Sequence, residues 1–271
     1  MGEAKQRSRG RQEVLARFPR CIYCDSTDAL TVEHMPPRGV FKNKDRPSGW
    51  EFACCTDCNN GTRGVDAVAQ FLSLMDPLQE TDWKDAQALR LINALKRYAP
   101  VVTEELMSNP QQNVHIRHNG ILRPAAEMRA DGPATHAHLD AFAAKMAMAS
   151  FATFTGRPLE MEGIIWTMWF LNGGMPTDTY RAVVSMMARF GQLEQGAKVS
   201  GEQFAYIYNT DEKSVVAACI ALHGSLTMLC MATDQEPFVS AMCKAVAPHT
   251  GRIGTQMTQP GRLLDRLGSP S

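Results

Sequence analysis

Several things are missing from this sequence, and each absence narrows what the chain can be. Net charge is the first. The 271 residues carry 28 Lys and Arg against 28 Asp and Glu, so the chain as a whole is no polycation that coats nucleic acid. An apolar leader is also missing. The charged opening predicts no secretory signal and a cytoplasmic setting. Gly2 invites N-myristoylation, but Gln6 stands where that motif wants Ser or Thr. No apolar run of membrane length is unbroken: the most apolar stretch, 214–233, has His223-Gly224-Ser225 at its centre. It is expected to form two buried strands joined by a turn at His223-Gly224, with no membrane as partner. There is no internal repeat, and no disulfide framework is expected. Five of the eight cysteines lie between residues 21 and 58, while Cys219, Cys230 and Cys243 sit among apolar residues as small buried hydrophobes. That distribution fits a reducing compartment and a metal site.

With 44% apolar and 21% charged residues, the chain can build one large or two modest cores. Residues 1–20 carry six basic side chains, Arg11, Arg17 and Arg20 among them, against Glu3 and Glu13. This is a basic arm that either meets phosphates or stays solvated, with a charged helix expected over 3–18. Residues 21–64 are rich in Gly, Pro, Asn and Asp and need a staple to hold them. Helical patterns follow at 66–75 and 82–99, each stopped by a proline, and again at 136–154 and 177–190. A hairpin turning at Asn119-Gly120 is expected over 113–122, and strands near 203–209, 215–222 and 225–232. The expected fold class is α+β: a small zinc-stapled module at 21–64, then a helical and antiparallel-sheet domain at 65–248, then a loosely held tail at 249–271.

Cys21-x-x-Cys24 and Cys55-x-x-Cys58 can each turn a knuckle that aims two thiolates at one tetrahedral ion. Four thiolates fill the coordination sphere, so the expected role of this Zn²⁺ is structural. Cys54 competes with Cys55 for the fourth position, although Cys55 keeps the two-residue spacing. Thirty residues separate the pairs, against the usual spacing of roughly 15–20, so the loop is expected to carry something more.

What it carries is Leu30-Thr31-Val32-Glu33-His34, a short alternating strand, followed by Met35-Pro36-Pro37. Adjacent strand residues point to opposite faces, so Glu33 and His34 can serve one site only if the backbone is irregular there. Pro36-Pro37 makes such an irregularity plausible. Asn59 directly follows the ligand Cys58 and is fixed by the staple. Glu33 and Asn59 supply hard oxygens suited to Mg²⁺ or another divalent ion, and an imidazole titrates near neutral pH, which suits a general base.

The spaced set Cys21-x-x-Cys24, Glu33-His34-x-Pro36, Cys55-x-x-Cys58-Asn59 resembles the zinc-bearing branch of the HNH (ββα-metal) endonucleases, in the variant that ends Cys-Asn. The resemblance covers about residues 20–64. It implies a ββα fold, Glu33 and Asn59 as ligands of the catalytic ion, and His34 as general base. The family more often has Asp at the position of Glu33 and His at that of Asn59, and Asn60 is a rival for the second ligand.

The implied activity is hydrolysis of DNA phosphodiester bonds to 5′-phosphate and 3′-hydroxyl ends. Arg38, Lys42, Lys44 and Arg46 follow the histidine and are expected to meet substrate phosphates, Arg38 first because it is nearest. His115, His118, His136 and His138 have loose metal-like spacing but no Cys or acidic partners, and are expected to bind no metal. Two alternatives come from other classes. One is a zinc-stapled module that binds nucleic acid or protein without hydrolysis. The other is a sensor whose 65–248 domain takes a partner protein or small ligand and drives the nuclease. Oligomeric state is not encoded in any of these features.

Overall fold

In the computed structural model, helix α1 (Glu3–Arg17) leads into the cysteine-bearing segment. The structure describes residues 3–75, 82–108, 112–118, 121–172, 174–187, 189–246, 255–265 and 267. Strand β1 (Leu30–His34) pairs antiparallel with β2 (Glu51–Cys55), Glu33 opposite Phe52 and His34 opposite Glu51. Short helix α2 (Thr56–Gly61) starts directly at the end of β2, and α3 (Arg63–Leu74) follows after Thr62. The resulting order is strand, strand, helix.

Helices α4 (Asp82–Tyr98) and α5 (Pro100–Ser108) come next. The expected stop before Pro100 is correct for α4, yet a new helix opens on that proline, whose fixed φ and missing N–H suit a first helical position. Strands β3 (Gln112–His118) and β4 (Ile121–Glu127) pair antiparallel, where the 113–122 hairpin was expected; its turn, Asn119-Gly120, lies outside the described residues.

Helix α6 (Pro133–Thr155) is the axis of the molecule. It packs on α3 and α5 on one side and on the large sheet on the other, so nearly every residue from Leu139 to Ala152 is buried. Its composition answers that demand: small Ala residues let neighbours approach closely, and Met residues fill irregular gaps. Glu105 of α5 caps its N-terminus, accepting from the backbone N–H groups of Ala134 and Thr135 (2.7 and 2.8 Å) and from the Thr135 hydroxyl. Gly156 closes it in the left-handed conformation, φ 77°.

The sheet is completed by β5 (Ile164–Leu171), helix α7 (Thr177–Met186), β6 (Arg189–Gln192), a small ribbon of β7 (Glu194–Gln195) and β8 (Lys198–Val199), then β9 (Ala205–Thr210), β10 (Val215–Leu222), β11 (Leu226–Thr233), α8 (Glu236–Val246) and β12 (Thr255–Thr258). Its strand order is β12-β5-β11-β10-β9-β6, with every pairing antiparallel. Strands β10 and β11 are the two halves of the 214–233 apolar run. They turn at His223 and Gly224, both at positive φ (53° and 73°), as a tight hairpin turn requires. Among the described residues, no helix is long and apolar enough to cross a membrane.

Sheet strand β5 had no sequence-based assignment, and Trp169 on it is buried, its indole N–H donating to Asp140 at 2.8 Å. The stretch expected as a tail contributes β12 and the buried Leu263. One continuous core runs from Phe18 through the hairpin, α3, α6 and the sheet to Leu263. Trp50, just before β2, helps to join its parts, packing against Phe204 and Tyr206 with ring centroids 5.3 and 5.0 Å away.

The Glu105 cap gives a direct test. Glu105→Ala leaves two N–H groups and one hydroxyl without their acceptor and should cost about 1 kcal/mol, lowering the melting temperature by roughly 2–4 °C in a calorimetric scan.

Candidate metal centre and the two faces of the hairpin

The cysteines come together as the spacing predicts. The sulfurs of Cys21, Cys24, Cys55 and Cys58 lie within 4.8 Å of one another, and those of Cys24 and Cys55 are 3.6 Å apart. A tetrahedral ion with Zn–S bonds of about 2.3 Å sets its sulfurs about 3.8 Å apart, so the four could hold a metal such as zinc. Two knuckle features shape the group: the Cys58 backbone N–H points at the Cys55 sulfur (3.4 Å), and the Tyr23 N–H at that of Cys21 (3.5 Å). The competitor Cys54 lies outside the four-sulfur group, its thiol donating to the Cys55 carbonyl at 3.4 Å. This is the only such cluster of His, Cys and acidic side chains among the described residues.

Beyond the cysteines, the regularity of β1 decides the geometry. The strand keeps its pairing through His34 and ends only at Met35, so Glu33 and His34 leave the backbone on opposite faces. Their surroundings differ accordingly.

Glu33 turns inward. Its carboxylate meets the Lys145 ammonium of α6 at 2.7 Å, and the same ammonium donates to both oxygens of Asp66 on α3 (2.7 and 2.9 Å) and to the Thr62 hydroxyl (3.0 Å). The Lys145 side chain is 0% exposed. It also lies 5.6 Å from the centroid of the buried Tyr23 ring. Burial opposes the charge on Lys145, yet Asp66 and Glu33 outweigh it and raise the ammonium's pKa above the ordinary lysine value. Two carboxylates around one ammonium leave one negative charge over. Burial pushes the Asp66 carboxyl up to about 7; Lys145 opposes that shift and the charge of Glu33 adds to it.

Asn59 lies on this inward side too, its amide N–H₂ donating to the hydroxyl of Thr31, which shares a face with Glu33. The resemblance assigns Glu33 and Asn59 a divalent ion such as Mg²⁺. The residues as they stand do not fit one, because the Glu33 carboxylate already faces a cation, the Lys145 ammonium, at bonding distance.

His34 turns outward. It opens into a cleft of about 820 Å³ that is also lined by Arg11 and Arg17 of α1, by Arg38, by Glu51 and by Trp50. The Glu51 carboxylate lies 3.6 Å from His34 Nδ1, just beyond hydrogen-bond length. Burial works against the charge on Glu51, but His34 and Arg46 together hold its pKa below the ordinary glutamate value. Nδ1 therefore faces an anion.

The basic residues after His34 divide by role. Arg38 lines the cleft, whereas Lys42 and Lys44 are exposed and do not. Arg46 turns inward, its side chain 2% exposed, and donates to the carbonyls of Met35, Pro36 and Pro47 (2.8–2.9 Å) and to Glu51 at 2.9 Å. It folds the loop. Sequence reasoning missed Lys145, Asp66, Glu51 and the part Arg11 and Arg17 take in the cleft. Lys145 sits in an Ala/Met-rich helix where a charge breaks the apolar pattern, and that break was the available signal.

On the sheet face away from α6, a second hollow of about 410 Å³ is lined by Met175, Thr177, Tyr180, Phe190 and Tyr206 among others. His136 packs edge-on against Trp169 and His138 contacts the Ala134 carbonyl at 2.7 Å.

Two outcomes follow. Purified protein should contain one zinc per chain by elemental analysis. Cys58→Ser should lose it and Cys54→Ser keep it. For Asp66, whose folded pKa of about 7 exceeds the unfolded value of about 3.9, its contribution to stability is fully present below about pH 4. That contribution is lost as pH rises through about 7. Asp66→Asn removes this dependence, so denaturant unfolding at several pH values should show wild type losing ground to the variant across that window. No family model matches the chain, and no curated protein or solved structure matches it either, so what the site does is read from its own chemistry.

Proposed function

We propose that residues 21–64 form an HNH-type nuclease module, stapled by structural zinc, that acts on DNA phosphodiester bonds at the His34 cleft. One observation carries this reading: an imidazole opens into a concave surface together with three arginines, Arg11, Arg17 and Arg38. The strand-strand-helix order and the four-cysteine group support it. Guanidinium groups meet phosphate oxygens bidentately, and their contacts position a backbone without reading its sequence.

In this mechanism the arginines hold the scissile phosphate and offset its charge. Glu51 faces Nδ1 of His34, which leaves Nε2 directed to the cleft. Nε2 takes a proton from an attacking water, the new P–O bond forms as the bond to the 3′-oxygen breaks, and the departing 3′-oxygen takes up a proton from solvent, so the ends are 5′-phosphate and 3′-hydroxyl. Glu51 steadies the imidazolium that results.

A second reading has its own support. Because Glu33 is engaged by Lys145, the module could bind nucleic acid at the same cleft without hydrolysing it. Incubation with supercoiled plasmid separates the two, using Mg²⁺, Mn²⁺ or Ni²⁺ beside an EDTA control. Under the nuclease reading, wild type nicks the plasmid, His34→Ala loses roughly 10²–10⁴-fold, and Glu51→Gln loses less. Retained duplex binding with no nicking under any condition selects the binding module, and equal nicking by His34→Ala overturns the assigned base.

A further inference from the structure

We infer that the Lys145 ammonium occupies the position of the divalent ion that an HNH-type hairpin would hold at Glu33, so the protein carries its own cation there and recruits none. The inference rests on the HNH reading of residues 21–64 for the identity of the Glu33 position, and on geometry for everything else.

Four oxygens from three residues converge on one nitrogen: Glu33 at 2.7 Å, both Asp66 oxygens at 2.7 and 2.9 Å, and the Thr62 hydroxyl at 3.0 Å. Two carboxylates and a hydroxyl are a hard-oxygen set of the kind Mg²⁺ or Mn²⁺ selects. Thr62 is tied in turn to the zinc knuckle, donating its hydroxyl to the Cys58 carbonyl at 2.8 Å. The nest of oxygens is therefore built from β1, from the segment that follows Cys58, and from α3. Only the cation comes from outside this module, delivered by the middle of α6.

A divalent ion cannot be added to this arrangement. The Lys145 side chain is fully enclosed, and a second cation at bonding distance from the same carboxylates would meet it in a medium where like charges repel strongly. The lysine could make room only by moving its ammonium into a packed core of Ala, Met and Phe residues, where it would be desolvated and unpaired. Lys145 also welds α6 to the hairpin. The cation that an independent HNH module would take from solvent is here part of the rest of the chain. Chemistry at the His34 cleft, on the opposite face of β1, then proceeds without an ion bound to Glu33.

Mn²⁺ binding tests this directly and needs no nuclease activity. Zinc-loaded full-length protein is titrated with Mn²⁺ to about 1 mM, the weak end of oxygen-ligand affinities, and the loss of the free-ion paramagnetic signal is read. Wild type and Glu33→Gln should give the same curve, with no Glu33-dependent ion. Lys145→Ala empties the nest while keeping both carboxylates and should gain one Mn²⁺ per chain, lost again in Lys145→Ala/Glu33→Gln. A Mn²⁺ bound by wild type and released by Glu33→Gln overturns the inference, as does a folded Lys145→Ala that gains none. If Lys145→Ala does not fold, the comparison of wild type with Glu33→Gln still decides. Plasmid nicking is scored separately, so a protein with no nuclease activity and no Glu33-bound ion loses the functional reading alone.

Discussion

A single buried ammonium holds the architecture together. Lys145 projects from the middle of α6 and is met by Glu33 from β1, by Asp66 from α3 and by the Thr62 hydroxyl next to the cysteine knuckle. Removing one partner from such a buried group is far more damaging than its net contribution suggests, because the remaining charges stay desolvated and uncompensated. The ion cluster therefore acts mainly on specificity of arrangement. It fixes which residue of α6 faces the hairpin, and with that the register of the long helix between the small module and the sheet.

That constraint divides the hairpin into an inward and an outward function. On the inward face, Thr31 and Glu33 are spent on structure, one receiving Asn59 and the other Lys145. On the outward face, Val32 and His34 line the cleft with the arginines of α1 and Arg38. A one-residue slip of β1 would exchange the two sets and expose the carboxylate while burying the imidazole. The pairing of His34 with Glu51 across the ladder is what sets the anion beside the imidazole, and Arg46, folded under the loop, holds that anion in place.

Much of this was legible beforehand, for identifiable reasons. The cysteine pairs announced themselves because metal ligation requires few residues at short, recognisable spacing. Helix α6 and the β10–β11 hairpin were visible because long periodic segments and a positive-φ turn leave strong local patterns. Glu33 and His34 were singled out together, as residues expected to serve one site. Whether they share a site depended on whether the backbone stays regular at that point, and the two prolines that follow suggested an irregularity that β1 does not have. Strand β5 escaped notice because both its faces are covered, Ile165, Thr167 and Trp169 buried on one and Trp166, Met168 and Phe170 partly buried on the other, so its residues are apolar on both sides and show no polar alternation. Lys145 escaped because its partners lie 79 or more residues away in the chain.

By itself, then, the sequence determined the four-cysteine group and the short strand that carries Glu33 and His34, both of which depend on residues close together in the chain. Only the tertiary structure decided what each charged side chain faces. Glu33 and Asp66 meet a lysine, His34 meets Glu51 and an arginine-lined cleft, and Arg46 serves the fold. Electrostatic partners are chosen by proximity in space and by the cost of leaving a buried charge alone, and neither quantity is written in local spacing.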